Sequence, residues 1–446
     1  MSVNRRQLMA GAGTAGLGFA LAGAVDAVFA GTANAATPAA FQGYGELVAD
    51  PKKVVDLPKG FRYTVFSKAG KDTLDGPGGG LVPAAHDGMR AFPAGIGRSV
   101  LVRNHELSPG TKDPIVPQRP GLVYDPATPG GTTTLTVAGD RLLHHVPSLA
   151  GTYRNCAGGG TPWNTWLTCE ETEATPASEA GLTKKHGYVF EVDPFGRLRD
   201  DAPVPLTALG RFPHEAVAID PRDGTVYLTE DAAKPYGLVY RFQPKRAHGG
   251  PGSLRAGGKL QALQVPAVRD LSAVRDLGTR LSVTWVDVPD PDATTVSVRA
   301  QFDNAKVTRV PKAEGIFWSR GVIYLVSSYA KVSEGAALDH SGQVWRFDPK
   351  RATLELVLRL EVGGRFDSPD NITVSPFGGI VLCEDGDGEN YLVAPSADGT
   401  PYPLARNAGS DSEWAGATFS ADGKWLYANI QGDGLTVAIT GPWWRG

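Results

Sequence analysis

Cysteine is scarce: the chain has three in 446 residues. That number is too small, and odd, for a disulfide framework to hold the fold. Oxidising surroundings would permit one bridge and leave one thiol over. No stretch carries the roughly 20 strongly apolar residues of a membrane-spanning helix, which argues against a stable membrane anchor. Charge of one sign is not in excess either, with 44 Lys and Arg against 47 Asp and Glu, so no basic stripe argues for nucleic acid. Long amphipathic helical stretches are few. Glycine (56) and proline (34) are abundant, which points to many turns between short strands.

The first residues read as an export signal. Arg5 and Arg6 sit in Asn4-Arg5-Arg6-Gln7-Leu8-Met9, a weakly apolar stretch runs from Ala10 to Val25, and Ala33-Asn34-Ala35 offers a small-residue cleavage site. A basic start, apolar middle and small-residue exit are the parts of a secretory signal. Paired arginines before a poorly hydrophobic middle favour the twin-arginine route over an ordinary Sec signal. The expectation is a signal peptide over 1–35, handled by the twin-arginine machinery, and one mature domain over 36–446.

A repeat lies within that domain. Its unit is an acid opening a short strand, a glycine-containing turn, and a second apolar strand closing in acids. One copy runs from Glu215 to Glu230-Asp231 and another from Asp370 to Glu384-Asp385. A third, from Glu314 to Ser327-Ser328, has lost the closing acid; a fourth, from Glu413, closes on the amide Asn429. Thr161 to Glu170-Glu171 matches the second strand of the unit. Segments such as Gly187–Pro194, Gly237–Pro244 and Gly342–Pro349 alternate like strands with one buried face. Three or four short strands per unit, repeated five or six times, predict an all-β protein, a β-propeller with long loops between blades. A pair of β-sandwiches is the competing architecture. Residues 245–310, and also 107–146, are expected as insertions.

In a propeller, equivalent strand ends converge around the central channel. Glu215, Glu314 and Asp370 at the hairpin starts, and Glu170, Glu230 and Glu384 at the hairpin ends, are therefore expected at one mouth. Six carboxylates repel one another strongly there, and hard cations such as calcium would neutralise them. Arg103-Asn104-His105-Glu106 also sits at a strand end, and Gly210-Arg211-Phe212-Pro213-His214 leads into Glu215. His214 reads equally as a ligand, a proton carrier or a structural group. Cys169 and Cys383 read as small core residues. Cys156 lies in a glycine-rich segment, read as a loop before a strand; its thiolate would suit a transition metal such as iron, and a free or disulfide-bonded thiol is the alternative. The glycines precede no helix and no Lys-Ser pair, so they are no nucleotide loop.

At these residues the chain resembles the PhoX family of bacterial alkaline phosphatases. The resemblance is carried by Arg103 to Glu106, Asn155-Cys156-Ala157-Gly158-Gly159 with Thr161-Pro162-Trp163, Thr165 to Glu171, Gly210 to Glu215, Trp285 to Pro291 and Ser368 to Asn371. It implies a six-bladed propeller that hydrolyses small phosphate monoesters at alkaline pH with an iron pair coupled to calcium. It also implies export by the twin-arginine route. Carried over, Cys156 is the iron ligand, and Glu106, Glu171, Glu215, Glu314, Asp370 and Glu384 are candidate ligands for iron or calcium. The repeat favours Glu170 where the family comparison favours Glu171. Arg211 and Arg103, the latter beside Asn104, are the candidates for gripping phosphate. A monomer is expected. A calcium-dependent lactonase and a non-catalytic calcium-bound binding propeller are the competing functions.

Overall fold

The computed structural model describes residues 43–76, 79–198, 200 and 202–443. The expected signal peptide lies outside them. Strands dominate the described residues; the only helices among them are short 3-10 turns.

The strands form six sheets. We number these as blades by their innermost strands: His86–Pro93 (blade 1), Asn155–Gly160 (blade 2), His214–Ile219 (blade 3), Ala313–Ser319 (blade 4), Pro369–Val374 (blade 5) and Trp414–Phe419 (blade 6). Each inner strand packs against those of the neighbouring blades, and blade 6 packs against blade 1. The ring is thus closed as a six-bladed propeller. The early strand Arg62–Lys68 pairs antiparallel with Leu435–Thr440 and becomes the outer strand of blade 6, which ties the two ends of the domain together.

Strand periodicity explains the core. Successive side chains point to opposite faces of a strand, so each blade serves two interfaces. In Ile380–Glu384, Ile380 and Leu382 pack towards blade 4, whereas Val381 and Cys383 pack towards blade 6. Phe190 and Val189 divide in the same way between blades 1 and 3. Burying one such Leu or Val stabilises by about 1.5–3 kcal/mol. Close approach of inner strands demands glycine in places: a Cβ on Gly159 would lie 1.9 Å from the Val217 carbonyl oxygen. Cys169 and Cys383 are fully buried core residues, and all three thiols are free.

Two expectations about insertions change. The region 107–146 is not wholly extra, because Gly130–Ala138 and Arg141–Thr152 complete blade 1. Within 245–310, Gly258–Gln264 and Thr284–Asp287 extend blade 3, and Arg280–Ser282 caps the edge of blade 4.

Candidate functional site

All six inner strands break register at one equivalent place. The pairing shifts between His86 and Met89, Asn155 and Gly158, His214 and Val217, Ala313 and Ile316, Pro369 and Ile372, and Ala415 and Thr418. A β-bulge leaves a residue unpaired and re-aims its side chain. The ring position in each bulge is held by Asp87, Cys156, Glu215, Glu314, Asp370 and Ala415 in turn, Ala415 because the Gln431 N–H meets the Glu413 carbonyl as Asp231 meets Pro213 and Asp385 meets Ser368. The first five line a cavity at one mouth of the channel, with Glu106, Glu171, Asp231, Asp385 and Glu413. Cys156 is therefore not in a loop before a strand; it stands in the bulge of blade 2's inner strand.

Three groups bring ligand atoms within 4.8 Å of one another: Cys156, Glu171 and Glu215; Glu215, Glu314 and Asp370; and Asp87, Glu106 and Glu413. Glu215 belongs to two of them. The lining holds ten carboxylates, counting Asp411, against two cations, Arg154 and Lys312. Arg154 reaches Glu171 at 2.5 Å and Glu106 at 3.3 Å. Lys312 reaches Asp231 at 2.5 Å and Glu314 at 2.9 Å. Gln431 donates to Glu106 at 2.6 Å and Asp87 at 3.0 Å.

Two cations do not balance this charge. Burial, reinforced by neighbouring carboxylates, pushes Asp87, Glu215, Asp370 and Glu413 well above the usual carboxylate range. Glu171 is raised by burial too, against the pull of Arg154. Glu314 rises to about 7 through burial, partly offset by Lys312. Burial, then Glu215 and Glu171, hold the Cys156 thiol well above its ordinary value. Ionising this set together requires added positive charge.

The hairpin-end acids have a different task. Glu170, Glu230 and Glu384 are buried beneath the mouth, not in its lining. Glu170 accepts backbone N–H groups of Tyr153, Gly187 and Tyr188 at 2.9–3.1 Å, and lies 2.6 Å from His186 Nδ1. Glu230 accepts from the Leu238 N–H, the Tyr240 hydroxyl and Arg299. Glu384 accepts from the N–H groups of Asp367 and Tyr391. Strand alternation supplies the reason: the residue after each, Glu171, Asp231 or Asp385, faces the cavity instead.

The three residues expected to handle phosphate are also placed elsewhere. Arg103 is fully buried among Ser67, Thr436, Thr133 and His145. Asn104 donates to the Cys156 and Ala157 carbonyls and accepts from Trp166 and Thr168. Asn104 thus braces the strand that carries Cys156. Arg211 donates to the carbonyls of Asp292, Glu173 and Ala293. His214 is buried under Phe212, contacts the Gly210 carbonyl, and burial lowers it to about 3; it is a neutral structural group.

Sequence reasoning missed Asp87, Asp231, Asp385 and Glu413 as lining acids, and Arg154, Lys312 and Gln431 as their partners. The signal for Asp231 and Asp385 was present in the doubled acids closing each hairpin.

The model of the alkaline phosphatase PhoX family matches residues 42–146 and 138–434. The chain belongs to that family. It is a phosphatase of a metal-dependent kind. No curated protein matches it. Pseudomonas fluorescens PhoX in complex with vanadate, a transition state analogue, is similar in structure, with TM-score 0.68 and 19% identity over 87% of this chain and 96% of that one. Virginiamycin B lyase from Staphylococcus aureus (TM-score 0.40, 10% identity, 85% and 99% covered) and a Xanthomonas campestris gluconolactonase (0.38, 14%, 83% and 100%) are too distant to carry any argument about this chain. Among the described residues, no helix is long and apolar enough to cross a membrane.

Proposed function

We propose that this PhoX-family chain is an exported, monomeric phosphomonoesterase acting on small phosphate monoesters at alkaline pH, with iron and calcium at the propeller mouth. The carrying observation is the donor set: one thiol among ten carboxylates in one cavity. Carboxylate oxygens suit calcium, and a thiolate beside them suits iron, so the residues fit the implied metals. Cys156, Glu171 and Glu215 would hold iron. Glu215, Glu314 and Asp370 on one side, and Asp87, Glu106 and Glu413 on the other, would hold the remaining cations. When bound, such cations neutralise phosphoryl oxygens and provide a nucleophile at neutral to alkaline pH.

The protein's own part is positioning and charge. The bulges fix the ligand backbone, and the buried acids at 170, 230 and 384 pin the turns behind it. Arg154 and Lys312 are the cations at the mouth, with side chains 41% and 31% exposed. Once metals neutralise their carboxylate partners, both are free to meet a phosphate dianion. Export fits the same site. A signal over 1–35 using the twin-arginine machinery would carry the 36–446 domain folded, with its thiol already protected by metal.

The test is p-nitrophenyl phosphate turnover at alkaline pH with a metal count on the same preparation. The expected result is turnover, iron and calcium together, and loss of activity on calcium chelation. A metal-replete protein with calcium alone and no turnover would overturn the reading.

A further inference from the structure

A second cavity, of about 410 Å³, lies in the channel directly beneath the carboxylate mouth. Its ceiling is made by Gly88, Ala157, Ala216, Gly315, Asn371 and Gly416, the bulge residues that follow the ring positions. All six blades therefore contribute to it. Its size falls within the range of small-molecule sites.

Arg90 is the one charged residue among the described residues lining this cavity. It follows Asp87 by three positions on blade 1, about 10 Å along an extended strand. Its guanidinium carbon lies 5.0 Å from the centre of the Phe317 ring on blade 4, the blade diametrically opposite. The side chain thus spans the channel. Its shaft runs against blade 2, where a Cβ on Gly160 would lie 3.2 Å from Arg90 Cγ and Nε. No carboxylate accompanies it: the lining acids stand at the other end of the channel, and Arg90 takes part in none of the described ion pairs or hydrogen bonds. The ring face supplies a cation–π contact of modest strength but no acceptor for the guanidinium N–H groups. An Arg keeps its charge in proteins, and this half-buried one presents its guanidinium to the cavity.

We propose that this cavity is a second oxyanion site, in which Arg90 binds inorganic phosphate below the metal centre. A tetrahedral oxyanion satisfies the fork of donors that no protein group meets. Cations at the mouth would turn the field in the channel from repelling to attracting an anion, so occupancy should depend on metal loading. The anion site stands on the cavity and Arg90; only its identification with released product rests on the phosphatase reading.

Equilibrium dialysis of the metal-loaded protein against labelled inorganic phosphate tests it. The wild type should bind two phosphates per chain, Arg90→Met one, and Arg90→Lys two, the second at least tenfold more weakly than in wild type. The Lys variant separates loss of charge from loss of fold. Equal stoichiometry in wild type and Arg90→Met overturns the proposal, as does loss of both sites in the Met variant with an unchanged melting temperature. An Arg90-dependent phosphate without p-nitrophenyl phosphate turnover would sink the phosphatase reading and leave this one standing; turnover with no Arg90-dependent phosphate would do the reverse.

Discussion

Glu170 and Glu171 are neighbours in sequence, yet the structure gives them opposite tasks, and one pair of substitutions separates them. Glu170 is fully buried, and its oxygens take three backbone N–H groups besides contacting His186 Nδ1 at 2.6 Å. In Glu170→Gln, the amide nitrogen is best placed where Oε1 stood, since His186 can then accept from it. That arrangement strands the Tyr153 N–H. An unmet buried donor costs about 1–3 kcal/mol, and hydrogen bonds to a charged acceptor are worth about 1 kcal/mol more than neutral ones. The expected loss is therefore about 2–4 kcal/mol, read as a melting temperature lower by roughly 5 °C for a chain of this size. Metal content per folded protein should be nearly unchanged. Glu171→Gln removes a carboxylate that burial and three like charges already disfavour. The metal-free protein should be no less stable, while iron content and turnover fall at least tenfold. Differential scanning fluorimetry with metal analysis reads both variants. If Glu170→Gln empties the metal centre at unchanged stability, or Glu171→Gln melts the protein and keeps its iron, the register argument is wrong.

Three further outcomes follow from the same geometry. Chelated, metal-free protein should lose stability as pH rises. Carboxylates whose folded values are raised, such as Glu314 from 4.5 to about 7, favour the folded state while protonated. That contribution is complete below their unfolded value and is lost as pH climbs through the folded one; thermal melts between pH 4 and 8 with and without added calcium and iron should diverge in that window. Cys156→Ser should lower iron while leaving most calcium, because an alcohol is a poor donor to iron and the all-carboxylate groups are untouched; elemental analysis checks it. Gly416→Ala should destabilise by about 3 kcal/mol, since its φ is +62° and the added Cβ would lie 2.4 Å from the Asp87 carbonyl oxygen; a urea melt measures it.

The propeller was readable because its units repeat chemically. An acid and a glycine turn recur at Glu215, Glu314 and Asp370, with closing acids in the first and last, and those three residues occupy equivalent bulges in blades 3, 4 and 5. Blade 1 was harder to read. Its ring acid, Asp87, opens the hairpin in His86-Asp87-Gly88-Met89, but the hairpin closes on His105-Glu106 and lacks the doubled acid of the template. The choice within each doubled acid was not readable from the repeat. One residue of register moves a side chain to the other face of a strand, and a bulge resets that register without leaving a residue type of its own. The arginines misled for a related reason. Arg103 and Arg211 stand beside site residues in sequence, but burial in polar pockets consumes their donors, whereas Arg154 and Lys312 lie in positions that no repeat marks.

The sixth blade shows why the cluster is not a symmetric ring. At its ring position stands Ala415, which has no ligand atom to offer, while the next residue, Gly416, approaches the Asp87 carbonyl as Gly315 approaches the Asp370 carbonyl one residue after the ring acid Glu314. The closing blade therefore gives up its bulge ligand. Glu413, from the segment just before the strand, joins Asp87 and Glu106 instead. Blade 4 replaces the usual acid after its second strand with Ser328 and places Lys312 against Asp231 and Glu314. These two departures weaken the negative field on one side and displace it on the other. The acids then divide into a thiol-containing group and two carboxylate-only groups, one of which shares Glu215 with the thiol. A six-fold ring of identical acids would offer equivalent sites to one kind of cation. The broken ring offers chemically different ones, which is what a centre combining a soft-ligand metal with hard cations requires.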